Sequence, residues 1–137
     1  MFIFLVLIVM LFNQSFAQDT ESNNRMAEQM AEWMDVVWDQ DPEEDYANIR
    51  ILMTKDGEPF AGKISLQGDF NFRAEGRTNH YQAFNPNSNG RWVYQEIDPG
   101  TFNLTIEGSN EFEGFKWTKK SVKIEAGDKP LFEITLD

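Results

Sequence analysis

Three rhythms of apolar and polar residues divide the chain. Residues 2–12 are apolar without a break. From Glu21 to about Asp39 the apolar residues recur at helical spacing. Met26, Met30, Trp33, Met34 and Val37 share one face, and Glu28, Glu32, Asp35 and Asp39 lie largely off it. Asp41-Pro42 ends that period. From Tyr46 onward the spacing becomes short alternation cut by turn residues. Ile49 and Ile51, Ile64 and Leu66, Phe70 and Phe72, and Tyr81 to Phe84 each read as strands. So do Trp92 to Tyr94, Phe102 to Ile106, Phe115 to Ile124 and Leu131 to Leu136. The segments Lys55-Asp56-Gly57-Glu58-Pro59, Pro86 to Gly90, Asp98-Pro99-Gly100 and Gly127 to Pro130 supply turns between them. Short strands with no second helix among them predict an all-β fold. The expectation is an antiparallel Greek-key β-sandwich of seven to eight strands, preceded by a signal peptide and one acidic amphipathic helix.

The apolar run at 2–12 is too short to span a bilayer, which takes about 20 residues. Asn13 and Gln14 end it, and Ser15-Phe16-Ala17 places small residues at both positions of a cleavage site. Residues 1–17 are therefore expected to be a signal peptide cut before Gln18, although no Lys or Arg precedes the run. The organisation that follows is 18–45 as acidic helix and linker and 46–137 as the sandwich. The protein is expected to be secreted, periplasmic or at the cell surface, without stable membrane insertion after cleavage.

Composition narrows the chemistry. The chain has 137 residues and no cysteine, so disulfides, thiolate metal sites and lipid attachment at a cysteine are excluded. Core packing alone must hold the domain together. The net charge is −11, and ten of the 23 acidic residues fall in 18–45 beside a single basic one, Arg25. The remainder is nearly balanced. Nucleic-acid binding needs concentrated positive charge and is not expected.

The turn chemistry carries a resemblance. Gly57, Pro59, Ala61 and Gly62 are followed by Asn89-Gly90-Arg91-Trp92 with Tyr94, then by Ile97-Asp98-Pro99-Gly100-Thr101-Phe102 with Leu104 and Ile106, and finally by Ile134 and Leu136. This order resembles the carboxypeptidase regulatory-like domain, a transthyretin-like (prealbumin-type) sandwich, over about residues 47–137. Gly90 and Gly100 are expected at positive φ in tight turns. The resemblance places Trp92 and Tyr94 in the core. It implies little about activity, because this sandwich serves as spacer, folding aid, adhesin repeat and glycan binder.

No catalytic constellation emerges, and an enzyme is not expected. The single histidine, His80, reads as a surface residue, and one histidine without cysteine argues against a metal site. The acidic stretch 39–45 lacks the order and glycine of a calcium loop. The lysine–asparagine cross-link of some adhesin relatives lacks its lysine in 49–53 and its asparagine in 131–137. No cofactor is expected.

Binding is the remaining class. Tyr81, Phe84 and Phe112, with Asn85 and Asn87, form an aromatic and amide-rich candidate for carbohydrate, flanked by Asn79 and Asn89. Met26, Met30, Trp33, Met34 and Val37 form a candidate helix face that packs on its own domain or on a protein partner. Lys116, Lys119, Lys120 and Lys123 gather on or around one strand, to dock the acidic segment within the chain, to pair with that of another copy, or to guard an edge. The sequence thus predicts a small exported, non-enzymatic binding or structural module of the cell envelope or extracellular space, presenting loops and an acidic helix to a protein partner. The alternative is a small carbohydrate-binding module, with an envelope polysaccharide engaged through residues 79–89.

Overall fold

The computed structural model describes residues 20–137, so the signal peptide expected at 1–17 lies outside the described residues. Helix α1 spans Thr20–Trp38. It is followed by β1 (Ala47–Lys55), β2 (Glu58–Pro59), β3 (Phe70–Glu75), β4 (Asn79–Phe84), β5 (Arg91–Ile97), β6 (Gly100–Gly108), β7 (Lys116–Ile124) and β8 (Leu131–Leu136). A short 3-10 turn, Asn110–Phe112, joins β6 to β7.

Two sheets face each other. In one, β1 is flanked by β8 on one side and by β5 and β2 on the other. The second runs β4-β3-β6-β7 and is antiparallel throughout. Alternation decides which side chains enter the space between them. Ile49, Ile51 and Met53 of β1 meet Phe102, Leu104 and Ile106 of β6 and Phe70, Phe72 and Ala74 of β3 in one core cluster. Phe70 is its aromatic centre, with the rings of Phe60, Phe84, Phe112 and Phe115 between 4.8 and 6.3 Å from its own.

The structure corrects the all-antiparallel expectation. β8 pairs with β1 in parallel, from Arg50↔Leu131 to Lys55↔Leu136. Alternation reports which face is buried and not which way a neighbour runs, so this pairing has no sequence signature. A second correction concerns Ile64 and Leu66, read as a strand. Residues 60–69 contain no strand, and Asn85 holds the segment instead by accepting from Asp69 N (2.8 Å) and donating to the carbonyls of Lys63 and Gln67 (3.1 and 3.2 Å).

Turns mostly follow their residues. Asp56 and Gly57 have φ of 54° and 82°, as a two-residue hairpin with right-handed strand twist requires. Gly90 sits at φ 74°, where an added Cβ would lie 2.4 Å from Met53 O. Gly100, by contrast, is not at positive φ. The left-handed residue at that crossing is Glu96, at φ 60°.

Helix α1 lies along the free edge of β5. Met34 and Val37 are each 1% exposed, and the Met34 Sδ accepts from Val93 N at 3.3 Å. A methionine thereby satisfies a strand-edge donor, and the helix covers an edge that would otherwise be open to other strands. Trp38 packs between two guanidinium groups, with Arg91 at 4.8 Å and Arg50 at 5.3 Å from its ring. Met26 is buried, and Met30 and Trp33 pack partly buried against the same core. Of the two courses expected for this face, its own domain or a protein partner, the contacts seen are with the chain's own sheet.

Candidate functional site

The turn after β4 brings three segments together. Phe84 ends β4 and stacks on Trp92 of β5, with centroids 5.5 Å apart and planes 28° from parallel. The indole N–H of Trp92 donates to Gln82 Oε1 at 2.9 Å. The 63–68 segment crosses this end of β4 closely enough to demand glycine at 68, where a Cβ would lie 2.1 Å from Phe84 N. Helix α1 approaches from the other side through Ala27, Met30 and Ala31.

Between these walls lies a cleft of about 180 Å³. Trp92 and Phe84 line its inner side, Met30, Ile64 and Leu66 its flanks, and Lys63 its rim. Ile64 is 58% exposed at its mouth. The volume is close to the ~150 Å³ of cavities that hold one benzene and below the ~300 Å³ at which drug-sized pockets begin. It suits one ring or one branched side chain.

Most of the side-chain polar groups around it are already bonded within the chain. Asn85 holds the 63–69 segment as described above. The Asn87 side-chain amide donates to Ala31 O (2.9 Å) and Asp35 Oδ1 (2.8 Å), while its Oδ1 accepts from the backbone N–H groups of Asn89 and Arg91. Ser65 Oγ accepts from Gln67 N, and Lys63 faces Glu111 across a long, exposed 3.8 Å pair. The cleft therefore offers mainly shape and apolar surface, with one cation at its rim.

Each predicted binding residue has a place in this geometry. Phe84 is 2% exposed and belongs to the core stack. Asn85 and Asn87 are buried and organise the backbone. Phe112 packs on Phe60 and Phe70, away from the cleft lining. Tyr81 is 59% exposed on the outer face of β4, directly opposite Arg73 of β3. The structure thus brings Phe84, Asn85 and Asn87 together at the cleft wall, but leaves Tyr81 and Phe112 elsewhere. Asp35 was missed, because it reads as one of several acids off the apolar helix face. It accepts from Asn87, from Asn89 Nδ2 (2.9 Å) and, more weakly, from Arg91 Nη1 (3.5 Å).

His80 is held on the inner side of β4, its ring 5.8 Å from those of both Tyr94 and Phe102. Burial lowers its pKa, and Asp98, whose Oδ2 is 3.8 Å away, opposes that only in part. Burial also raises the pKa of the Tyr94 phenol, opposed in part by the Tyr81 backbone. Glu96 is raised by burial and then by the charge of Glu43. Among the described residues no three His, Asp or Glu side chains gather to hold a metal ion, and no helix is long and apolar enough to cross a membrane.

Lysine pairing with the acidic segment is made from the loop before β8. Lys129 Nζ reaches Asp41 at 3.3 Å and the Asp39 carbonyl at 3.1 Å. On β7, Lys123 pairs with Glu125 instead.

No family model matches the chain, and no curated protein matches it. Among solved structures, the chain is similar to a Bacteroides uniformis protein provisionally described as carbohydrate binding, with a TM-score of 0.49 and 14% identity over 68% of this chain. The matched part spans 41% of that protein, so the chain accounts for less than half of its length.

Proposed function

We propose that this chain is an exported, non-catalytic binding module of the regulatory-like sandwich type, and that its cleft receives one apolar side chain of a protein partner. The observation that carries this reading is the state of the polar groups. The amides of Asn85 and Asn87 and the Gln82 carbonyl oxygen already hold protein partners. A sugar ring needs free hydrogen-bonding groups beside an apolar face, whereas an aliphatic or aromatic side chain needs only the face and a fitting volume. The wedging of His80 between aromatic rings supports the non-catalytic part, since a general base must reach a substrate proton.

The test pairs ring-sized apolar probes (indole and cyclohexanol) with glucose and cellobiose, read by NMR at the methyl groups of Ala31, Leu66 and Ala83. Shifts with the apolar probes alone support the reading, and shifts with the sugars alone overturn it. Retention of protein partners from envelope extract should then fall with Ile64→Asp, which alters an exposed cleft wall and leaves the core intact.

The exposure of Tyr81 favours a second reading. Its ring, with Arg73 opposite and Asn71 and Thr105 on the same outer face, has the makings of a stacking platform for carbohydrate. That reading keeps Tyr81 from the 79–89 region expected to engage carbohydrate and moves the site onto the open face of the second sheet.

A further inference from the structure

Strand register lays out what the β4-β3-β6-β7 sheet presents on its outer side. Tyr81, Arg73, Thr105 and Thr118 form one row across all four strands. Ala83, Asn71, Glu107 and Lys116 form the row beside it. With neighbouring strands about 4.8 Å apart, each row spans roughly 14 Å.

This face has what the cleft lacks for a sugar. Tyr81 is 59% exposed and offers its ring. A depression of about 270 Å³ lies beside it, with Asn71, Arg73 and Ala83 in its lining. Among the described residues, the side chains of Asn71, Thr105 and Thr118 bond nothing, so their amide and hydroxyl groups are open to a ligand. Apart from Tyr81 and Ala83, no apolar side chain stands in the two rows, whereas protein interfaces draw on buried apolar anchors.

Charge narrows the kind of sugar. Arg73, Lys116, Lys120 and Lys123 stand on the outer side, and Glu75 and Glu107 are the only carboxylates that these four strands place there. The face is therefore positive in a chain of net charge −11. Lys116 and Lys120 make no ion pair among the described residues. Arg73 Nη1 lies 3.9 Å from Glu107 in a half-exposed pair, and such pairs are weak enough for another carboxylate to replace. Because Arg73 stands directly opposite Tyr81, a ring stacked on the phenol brings its substituents to the guanidinium, whose planar fork suits a carboxylate.

Resting on the second reading above, we infer that this face takes an acidic polysaccharide. One uronic-acid ring lies on Tyr81 with its carboxylate on Arg73, and the chain continues along the rows towards Lys116 and Lys120.

The probe is polygalacturonate, set against dextran, a neutral glucan, and polyglutamate, an anionic chain without sugar rings, in affinity electrophoresis of the full chain. Polygalacturonate should retard the protein most, and less as salt is raised. Tyr81→Ala and Arg73→Ala should abolish the effect, and Lys116→Glu with Lys120→Glu should weaken it about tenfold. Glu107→Gln, which frees Arg73, should strengthen it. All these side chains are exposed or half-exposed, so the melting temperatures should stay nearly unchanged. Equal retardation by dextran overturns the inference and leaves sugar binding at Tyr81 standing. Equal retardation by polyglutamate overturns it by reducing the face to an unselective cationic patch. No retardation by either polysaccharide overturns both the inference and the reading on which it rests.

Discussion

Asp35 and Asn87 meet at 2.8 Å across 52 positions of sequence, and through them the helix is fastened to the sandwich. Asn87 bridges the helix carbonyl of Ala31 and the Asp35 carboxylate with one amide, while its oxygen closes the turn that leads into β5. Asn89 and Arg91 bring further donors to the same carboxylate. Helix position and turn conformation are thus set by one hydrogen-bonded group. The cleft, which has α1 and this turn as two of its walls, depends on it.

Asp35→Ala should destabilise the protein by about 2 kcal/mol, the order expected for losing hydrogen bonds to a partly buried charge. Exchange should quicken across α1 more than across β3 or β6. Denaturant unfolding with amide exchange checks both, and an unchanged helix would mean that Met34 and Val37 suffice to hold it.

Phe84 and Tyr81 lie three residues apart and should behave oppositely. Phe84→Ala opens the stack on Trp92 in a buried site and should lower stability by about 3–5 kcal/mol. Tyr81→Ala, on an exposed face, should change stability by no more than about 0.5 kcal/mol. If Tyr81→Ala also removes retention on immobilised polysaccharide, the second reading of function gains its support. Retention that survives the change eliminates it.

His80 should make stability fall as solutions turn mildly acid. Its folded pKa lies below the unfolded value of 6.5, so the unfolded chain takes up the proton first. Stability from this group is complete above 6.5, is lost as pH drops through the folded value, and is flat below that. His80→Gln should remove this part of the pH profile, as measured by chemical denaturation from pH 7.5 to 5.

Glu96 should act with the opposite sign. Its folded pKa is raised above 4.5 by burial and by Glu43, so its contribution is complete below 4.5 and is lost as pH rises through the folded value. Glu96→Gln should therefore be more stable than the parent at pH 7 and indistinguishable from it near pH 4. Thermal melts at the two pH values decide this. Equal gains at both would mean that the effect does not come from the carboxyl charge.

Much of the fold was legible because burial leaves a local trace. The alternation Phe102-x-Leu104-x-Ile106 and Phe132-x-Ile134-x-Leu136 marks the inward faces of β6 and β8, and all six side chains are buried. Asp56-Gly57 and Asn89-Gly90 announced turns because few other residues adopt positive φ. The site was less legible. Asn85 and Asn87 look the same in sequence whether their amides face solvent or bond Lys63, Gln67, Ala31 and Asp35. Ile64 and Leu66 alternate as a strand does, yet they form a cleft wall, because no neighbouring strand lies alongside to pair with them.

What the sequence by itself determined is therefore what nearest neighbours along the chain can encode. That covers the period of each element, the inward side of each strand, the tight turns, and the absence of cysteine chemistry. Tertiary structure decided the parallel β1–β8 pair, the docking of α1 on the β5 edge, and the buried duties of Phe84, Asn85 and Asn87. Several of these depend on contacts between residues some 50 to 80 positions apart, and the bonds of Asn85 on contacts 16 to 22 positions apart. Periodicity records how often a side chain turns inward, and it carries no information on which distant group will be waiting there.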